Sequence, residues 1–219
     1  MQVLNNTPLV TELEYRYKQV NFVNWLSDFA YLNNIPVENN KISYNNKFAK
    51  GTSEAYHVAT GLSSIVHNYT LNNGISFKRN ASANKGILIH FNNIDEVAND
   101  GNNNVATNLF SIQISSTQKP VEVILAKNTS IQTISIYIEN NWIEKNILSG
   151  FLPLINNIHY NDVIKLMPTN KQVTLLQSIL KHQHNNIKAL AQSKIIDQLK
   201  YVTKDILQLF IEQYIAKNN

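Results

Sequence analysis

The spacing of apolar and polar positions changes twice along this 219-residue chain. From about Thr7 to Asn34 it predicts helix. Thr7 is placed to N-cap, with Pro8 at the first helical position and Glu12 in the opening turn. Val10, Leu13 and Tyr17 follow at helical intervals. Phe22, Trp25, Phe29 and Leu32 then repeat every three or four residues until Pro36 ends the run.

Between about residues 35 and 137 the period shortens to two. Segments 53–58, 63–69, 75–79, 85–91, 109–115, 121–125 and 133–138 are short, rich in β-branched or aromatic residues, and read as strands. Ile75, Phe77 and Arg79 fall on one face against Ser76 and Lys78. Ile87, Ile89 and Phe91 oppose Leu88 and His90, and Phe110, Ile112 and Ile114 oppose Ser111 and Gln113. Turn formers separate these runs at Asn72-Asn73-Gly74, 80–84, 99–104 and Lys127-Asn128-Thr129. The connections are too short for βαβ crossovers, which predicts an antiparallel sandwich or small barrel.

From about Asn141 the helical period returns. Trp142, Ile143 and Ile147 open this zone, and after Pro168 one stripe is formed by Val173, Leu176, Ile179 and Leu180. A longer stripe holds Leu190, Ile195, Leu199, Val202, Ile206, Leu209, Phe210 and Ile215. The short link at His184-Asn185-Asn186 predicts that the two helices fold back as a hairpin. The breadth of the last stripe leaves two readings open. It packs on the barrel, or it also seals a subunit interface through Leu199, Val202, Ile206, Leu209 and Phe210.

Composition narrows the picture further. Hydrophobic residues make up 43%, enough for a buried core, while charged residues are only 16%. Polarity comes instead from 34 asparagines, many in pairs between apolar segments, where Asn tolerates left-handed turn conformations. With no cysteine, disulfides, thiolate metal sites and a cysteine nucleophile are excluded. No apolar run approaches a membrane span, and the first residues lack a charged segment followed by an apolar one. The expected setting is therefore cytoplasmic, without a membrane partner. A net charge of +4 invites a nucleic-acid reading, but the chain has only Arg16 and Arg79, and its lysines are scattered rather than clustered.

Little in the sequence points to catalysis. No Gly-x-Ser-x-Gly turn or phosphate-cradling glycine loop occurs. Asp95, Glu96 and Asp100 read as a solvated, Asn-rich loop. His182-Gln183-His184 sits at a helix end, where neighbours two apart diverge. His57, His67 and His90 fall on different strands and would converge only inside a barrel, where they would form the metal centre of an alternative reading, a cupin-type metalloenzyme. The favoured expectation is a non-enzyme without cofactor, in which a barrel holds one small ligand. Tyr44, Tyr56, Tyr69, Phe77 and Phe91 are candidate lining residues or ordinary core. Arg79, if inward, would suit an acidic or carbonyl-bearing ligand through forked hydrogen bonds.

The order of several segments resembles the N-terminal sensor domain of AraC-type transcription regulators. These are Phe48-Ala49-Lys50-Gly51, Glu54, Gly61-Leu62, Tyr69-Thr70-Leu71-Asn72-Asn73, Ile75 and Phe77-Lys78-Arg79. Ile114-Ser115-Ser116, 121–125, Lys127-Asn128-Thr129, 131–138, Asn141-Trp142-Ile143-Glu144-Lys145 and the tail through 205–210 continue the likeness. It implies a cupin-like barrel followed by helices that homodimerise, binding a small-molecule effector. In that family a DNA-binding helix-turn-helix region follows; this chain ends at Asn219, so any DNA contact is expected only through a region it lacks. The expected architecture is α+β: a helical segment at 1–35, a cupin-like β-barrel at 36–140 and a helical dimerisation region at 141–219. Tyr56, Tyr69, Phe77, Arg79 and Phe91 are the expected ligand contacts.

Overall fold

The computed structural model describes residues 13–83, 85–100, 103–147, 164–182 and 189–218. Strand β1 (Leu13–Lys18) precedes helix α1 (Phe22–Leu32). Nine strands follow: β2 (Val37–Glu38), β3 (Lys41–Asn45), β4 (Ala49–Ala59), β5 (Leu62–Leu71), β6 (Ile75–Asn80), β7 (Gly86–Asp100), β8 (Asn103–Ser116), β9 (Val121–Leu125) and β10 (Ser130–Glu139). Then come helix α2 (Asn140–Asn146), strand β11 (Ile164–Leu166) and helices α3 (Asn170–His182) and α4 (Ala189–Asn218).

Eight strands make one sheet in the order β11-β8-β7-β10-β5-β4-β3-β2, antiparallel throughout. The remaining three make a smaller sheet, β1-β6-β9, in which β1 runs parallel to β6. Neither sheet closes on itself, so the described fold is mixed α+β rather than a sealed barrel.

Period-two alternation splits the large sheet into two apolar faces. Leu62, Val66, Ile87, Ile89, Phe91, Ile112, Ile114, Ile134, Ile136 and Ile138 face α2, α3 and α4, meeting Trp142, Leu176, Ile179, Leu199, Val202, Ile206 and Phe210 in one core. Ala55, Ile65, Tyr69, Leu88, Ile131 and Tyr137 point the other way, toward α1 and the small sheet. Each fully buried Ile or Leu contributes about 1.5–3 kcal/mol, so both faces matter. The molecule is thus layered: helices, large sheet, then small sheet with α1.

The N-terminal expectation of continuous helix is corrected at Leu13–Lys18. Leu13, Tyr15 and Tyr17 lean inward while Glu14, Arg16 and Lys18 point out, the alternation of a strand. Tyr15 packs edge-on against Phe29 at 4.9 Å and stacks on Tyr17 at 5.7 Å, contacts that reward the extended form. The expected helix begins instead at Phe22, where Asn21 caps it by accepting from the Asn24 amide at 3.0 Å. Leu32 lies off its buried stripe and is exposed. Thr7, Pro8, Val10 and Glu12 lie outside the described residues.

All seven expected strands are present, several of them longer than expected. Strands β2, β3 and β11 were not foreseen, and β11 adds a sheet edge within the zone expected to be helical. Asp95, Glu96 and Asp100 belong to β7, not to a loop, because β7 and β8 stay paired out to Asp100 and Asn103. Asparagine does serve as turn former: Asn34, Asn39, Asn40 and Asn128 all have positive φ. Asn39 and Asn40 form the two-residue turn between β2 and β3.

Helices α3 and α4 pack on one another, with Lys171 meeting Tyr201 and Gln172 donating to Asp205 at 2.6 Å. Their link at 183–188 and the side chains of Leu190 and Ile215 lie outside the described residues. Leu199, Val202, Ile206 and Phe210, expected at a dimer interface, are buried within the chain's own core, and Leu209 is half-buried. A side chain already covered by its own sheet has no surface left for a partner. This corrects the assignment of Leu199, Val202, Ile206 and Phe210, while Leu209 keeps some free surface.

Two substitutions test this packing. Ile206→Ala should lower unfolding stability by about 2–5 kcal/mol, and the loss should not vary with protein concentration in urea titrations, as it would for an interface residue. Gly51 has φ +136°, and a Cβ there would lie 2.3 Å from the Asn68 carbonyl oxygen and 2.5 Å from Tyr69 Cα. Gly51→Ala should therefore cost at least about 2 kcal/mol in the same measurement.

Candidate functional site

Between the large sheet, the small sheet and α1 lies a cavity of about 290 Å³. Its floor comes from alternate positions of four neighbouring strands: His67 and Tyr69 on β5, His90 and Asn92 on β7, Gln113 and Ser115 on β8, and Ile131, Thr133 and Ser135 on β10. Opposite them stand Tyr17 of β1, Phe77 and Arg79 of β6, and Val121, Val123 and Leu125 of β9. Phe22 and Trp25 of α1 close one side. Among the described residues β9 is an edge strand, and its cavity residue Val123 is 45% exposed, so the cavity opens past that edge.

The floor is polar for a simple reason. The same strands send their other parity, such as Ile89, Phe91, Ile112, Ile114, Ile134 and Ile136, into the helix-covered core. What remains on the cavity side is small or polar, leaving room that larger apolar side chains would fill. Two histidines occupy the middle of it. His67 Nδ1 lies 2.8 Å from Ser53 Oγ, which also accepts from the Tyr44 hydroxyl at 3.1 Å. Ser53 thus bridges the Tyr44 hydroxyl and the His67 ring. His90 Nδ1 lies 2.8 Å from Ser135 Oγ.

Both rings are held neutral. Burial drives the His67 pKa down to about 3, with His90 nearby adding to the effect. Burial also drives His90 down to about 4, helped by the positive charge of Arg79. Tyr17 and Tyr69 are pushed upward by burial, so they present neutral hydroxyls.

Arg79 carries the cavity's formal charge. It is 4% exposed, and its Nη2 donates to the carbonyl oxygens of Ser116 at 2.9 Å and Lys119 at 3.3 Å. Among the described residues its Nε has no partner, and no Asp or Glu lines the cavity. The neighbouring Lys78 takes the opposite face of β6 and pairs with Glu14 and Glu122 outside. Trp25 Nε1 is likewise buried and unpartnered. Burial disfavours the charged guanidinium and lowers its pKa, yet an arginine stays protonated.

Of the five expected ligand contacts, Tyr69, Phe77 and Arg79 line this cavity. Tyr56 and Phe91 do not: both belong to the core beneath the helices. Strand parity explains Phe91, since its neighbour His90 takes the cavity side. Tyr44 does not line the cavity but touches its lining, through Ser53 to His67 and edge-on against Tyr69 at 5.2 Å. Of the three histidines proposed for a metal, His67 and His90 share the cavity, but His57 is exposed and elsewhere. Among the described residues no group of three or more His, Asp or Glu could hold a metal ion. His159 and His184 lie outside the described residues.

The sequence reading missed Tyr17, Trp25, Gln113 and Ser115, and treated His67 and His90 only as ligands for a metal. The available signal was a run of small polar residues at one parity of strands apolar at the other: Gln113 and Ser115, Thr133 and Ser135, His90 and Asn92. No helix among the described residues is long and apolar enough to cross a membrane. No protein family, no curated protein and no solved structure matches this chain.

The neutral histidines make stability pH-dependent. In the unfolded chain both rings protonate near pH 6.5. In the folded chain they do so only near about 3 and about 4. Between those limits the unfolded state binds more protons, so stability that is full above pH 6.5 is lost as pH falls through this window. Urea midpoints should drop from pH 7 to pH 5, while the ring C–H resonances of His67 and His90 stay unshifted over the same range. A ring titrating near 6.5 would contradict this.

Proposed function

We propose that this chain binds a small molecule between its two sheets and serves as the ligand-sensing and dimerising portion of an AraC-type transcription regulator. The observation that carries the binding half is the 290 Å³ cavity, with its polar floor, apolar roof and open side. In this reading the two facing sheets are a cupin-like barrel left unsealed along β9. The regulator assignment and the homodimer rest on the order of sequence features that resembles that family.

Sensing then works by population shift. An occupant touching β5, β7, β10, the small sheet and α1 favours whichever arrangement of these elements it fits best, and only by its difference in affinity between arrangements. The large sheet is the route outward. Thr133 and Ser135 face the cavity, while the intervening Ile134 and the next residue, Ile136, press on the helical layer. Any contact between two copies has to use surface other than the buried side chains of Leu199, Val202, Ile206 and Phe210.

A thermal-shift screen of small metabolites tests the binding half. A true occupant at a hundredfold excess over its Kd should raise Tm by roughly 5–10 °C. Thr133→Trp, which fills the cavity with an indole, should abolish the rise. Light scattering tests the other half. Twice the chain mass of 25.0 kDa is expected, and a monomer at high concentration would remove the dimer.

A further inference from the structure

We propose that the occupant is a small organic carboxylate, its charged head beside Arg79 and its apolar body along Phe77, Val123 and Leu125. This rests on the reading of the cavity as a ligand site.

The first argument is charge. Among the described residues the only partners of the buried Arg79 cation are two neutral carbonyls, and no acidic side chain lines the space beside it. Taking a guanidinium out of water without an anion is costly, and a bound carboxylate would supply the missing charge in a water-poor site. The second argument is the sign of the unmet hydrogen bonds. Two cavity residues carry a buried polar atom without a partner, Arg79 at Nε and Trp25 at Nε1, and both atoms are donors. A ligand rich in acceptors fits this set; a cationic or donor-rich ligand does not.

The third argument is the layout. Along β6 and β9 the paired residues run from Arg79 and Val121, through Phe77 and Val123, to Ile75 and Leu125. Charge therefore sits at one end of the roof and apolar surface follows. A single fixed cation with neutral histidines balances one negative charge, which selects a carboxylate over a dianionic phosphate. A volume of about 290 Å³ suits a molecule the size of a short-chain or aromatic acid.

Benzoate and its neutral isostere benzamide, titrated calorimetrically into the full chain at pH 7, separate the possibilities. Benzoate should bind at least tenfold more tightly, and Arg79→Gln should bring the two ligands level. Equal binding of both by the unaltered chain would overturn the carboxylate assignment while leaving the cavity as a ligand site. Failure of both to bind at millimolar concentration would overturn the cavity reading as well. A benzoate preference that survives in Arg79→Gln would show that the head does not sit at Arg79. Should that variant fail to fold, the benzoate-to-benzamide ratio of the unaltered chain still decides the question of charge.

Discussion

Everything in this molecule depends on one constraint: the large sheet is covered on both faces, and each strand must serve two environments at alternate residues. On the helical side the demand is for close packing, met by isoleucine after isoleucine along β7, β8 and β10. On the other side a smaller, open-edged sheet cannot reach the whole surface. The uncovered part is where His67, His90, Gln113 and Ser135 gather. A one-residue slip in any of these strands would exchange the two sets and lose both.

The polar floor is stable because its members satisfy one another. Serines bind the histidines, a tyrosine binds one of those serines, and backbone carbonyls hold the guanidinium. Among the described cavity residues two donors beyond the floor are left over, on Arg79 and Trp25. In an interior where buried polar groups are nearly always paired, such exceptions carry information about what the site lacks.

The strands of the middle region were legible because short β-branched runs between asparagine turns have few other ways to fold. Alternation put Arg79 on the face of Ile75 and Phe77 but left open which way that face turns; the structure turns it to the cavity. The strand Leu13–Lys18 was hidden because Leu13 and Tyr17 fit a helical spacing as well as a strand; only Tyr15, packed on Phe29, distinguishes them. Tyr56 and Phe91 were assigned to the cavity on chemical type, and parity overruled type. Burial of the Leu199–Phe210 stripe was one of two open readings, and periodicity shows only that a face is apolar, not what covers it. The small sheet joins β1 to β6 in parallel and so brings Tyr17 beside Arg79 across more than sixty positions of chain, a pairing no local pattern announces.

The unpaired margin of β9 has a kinetic meaning. A pocket sealed on all sides admits its guest only when some element swings away, and that swing sets both arrival and departure. In the proposed reading the exposed Val123 leaves a way in within the resting fold, so arrival would need no rearrangement and would be governed by diffusion and the pull of one positive charge. Dwell time then rests on the contacts inside alone. Such a receptor would follow rapid changes in concentration closely.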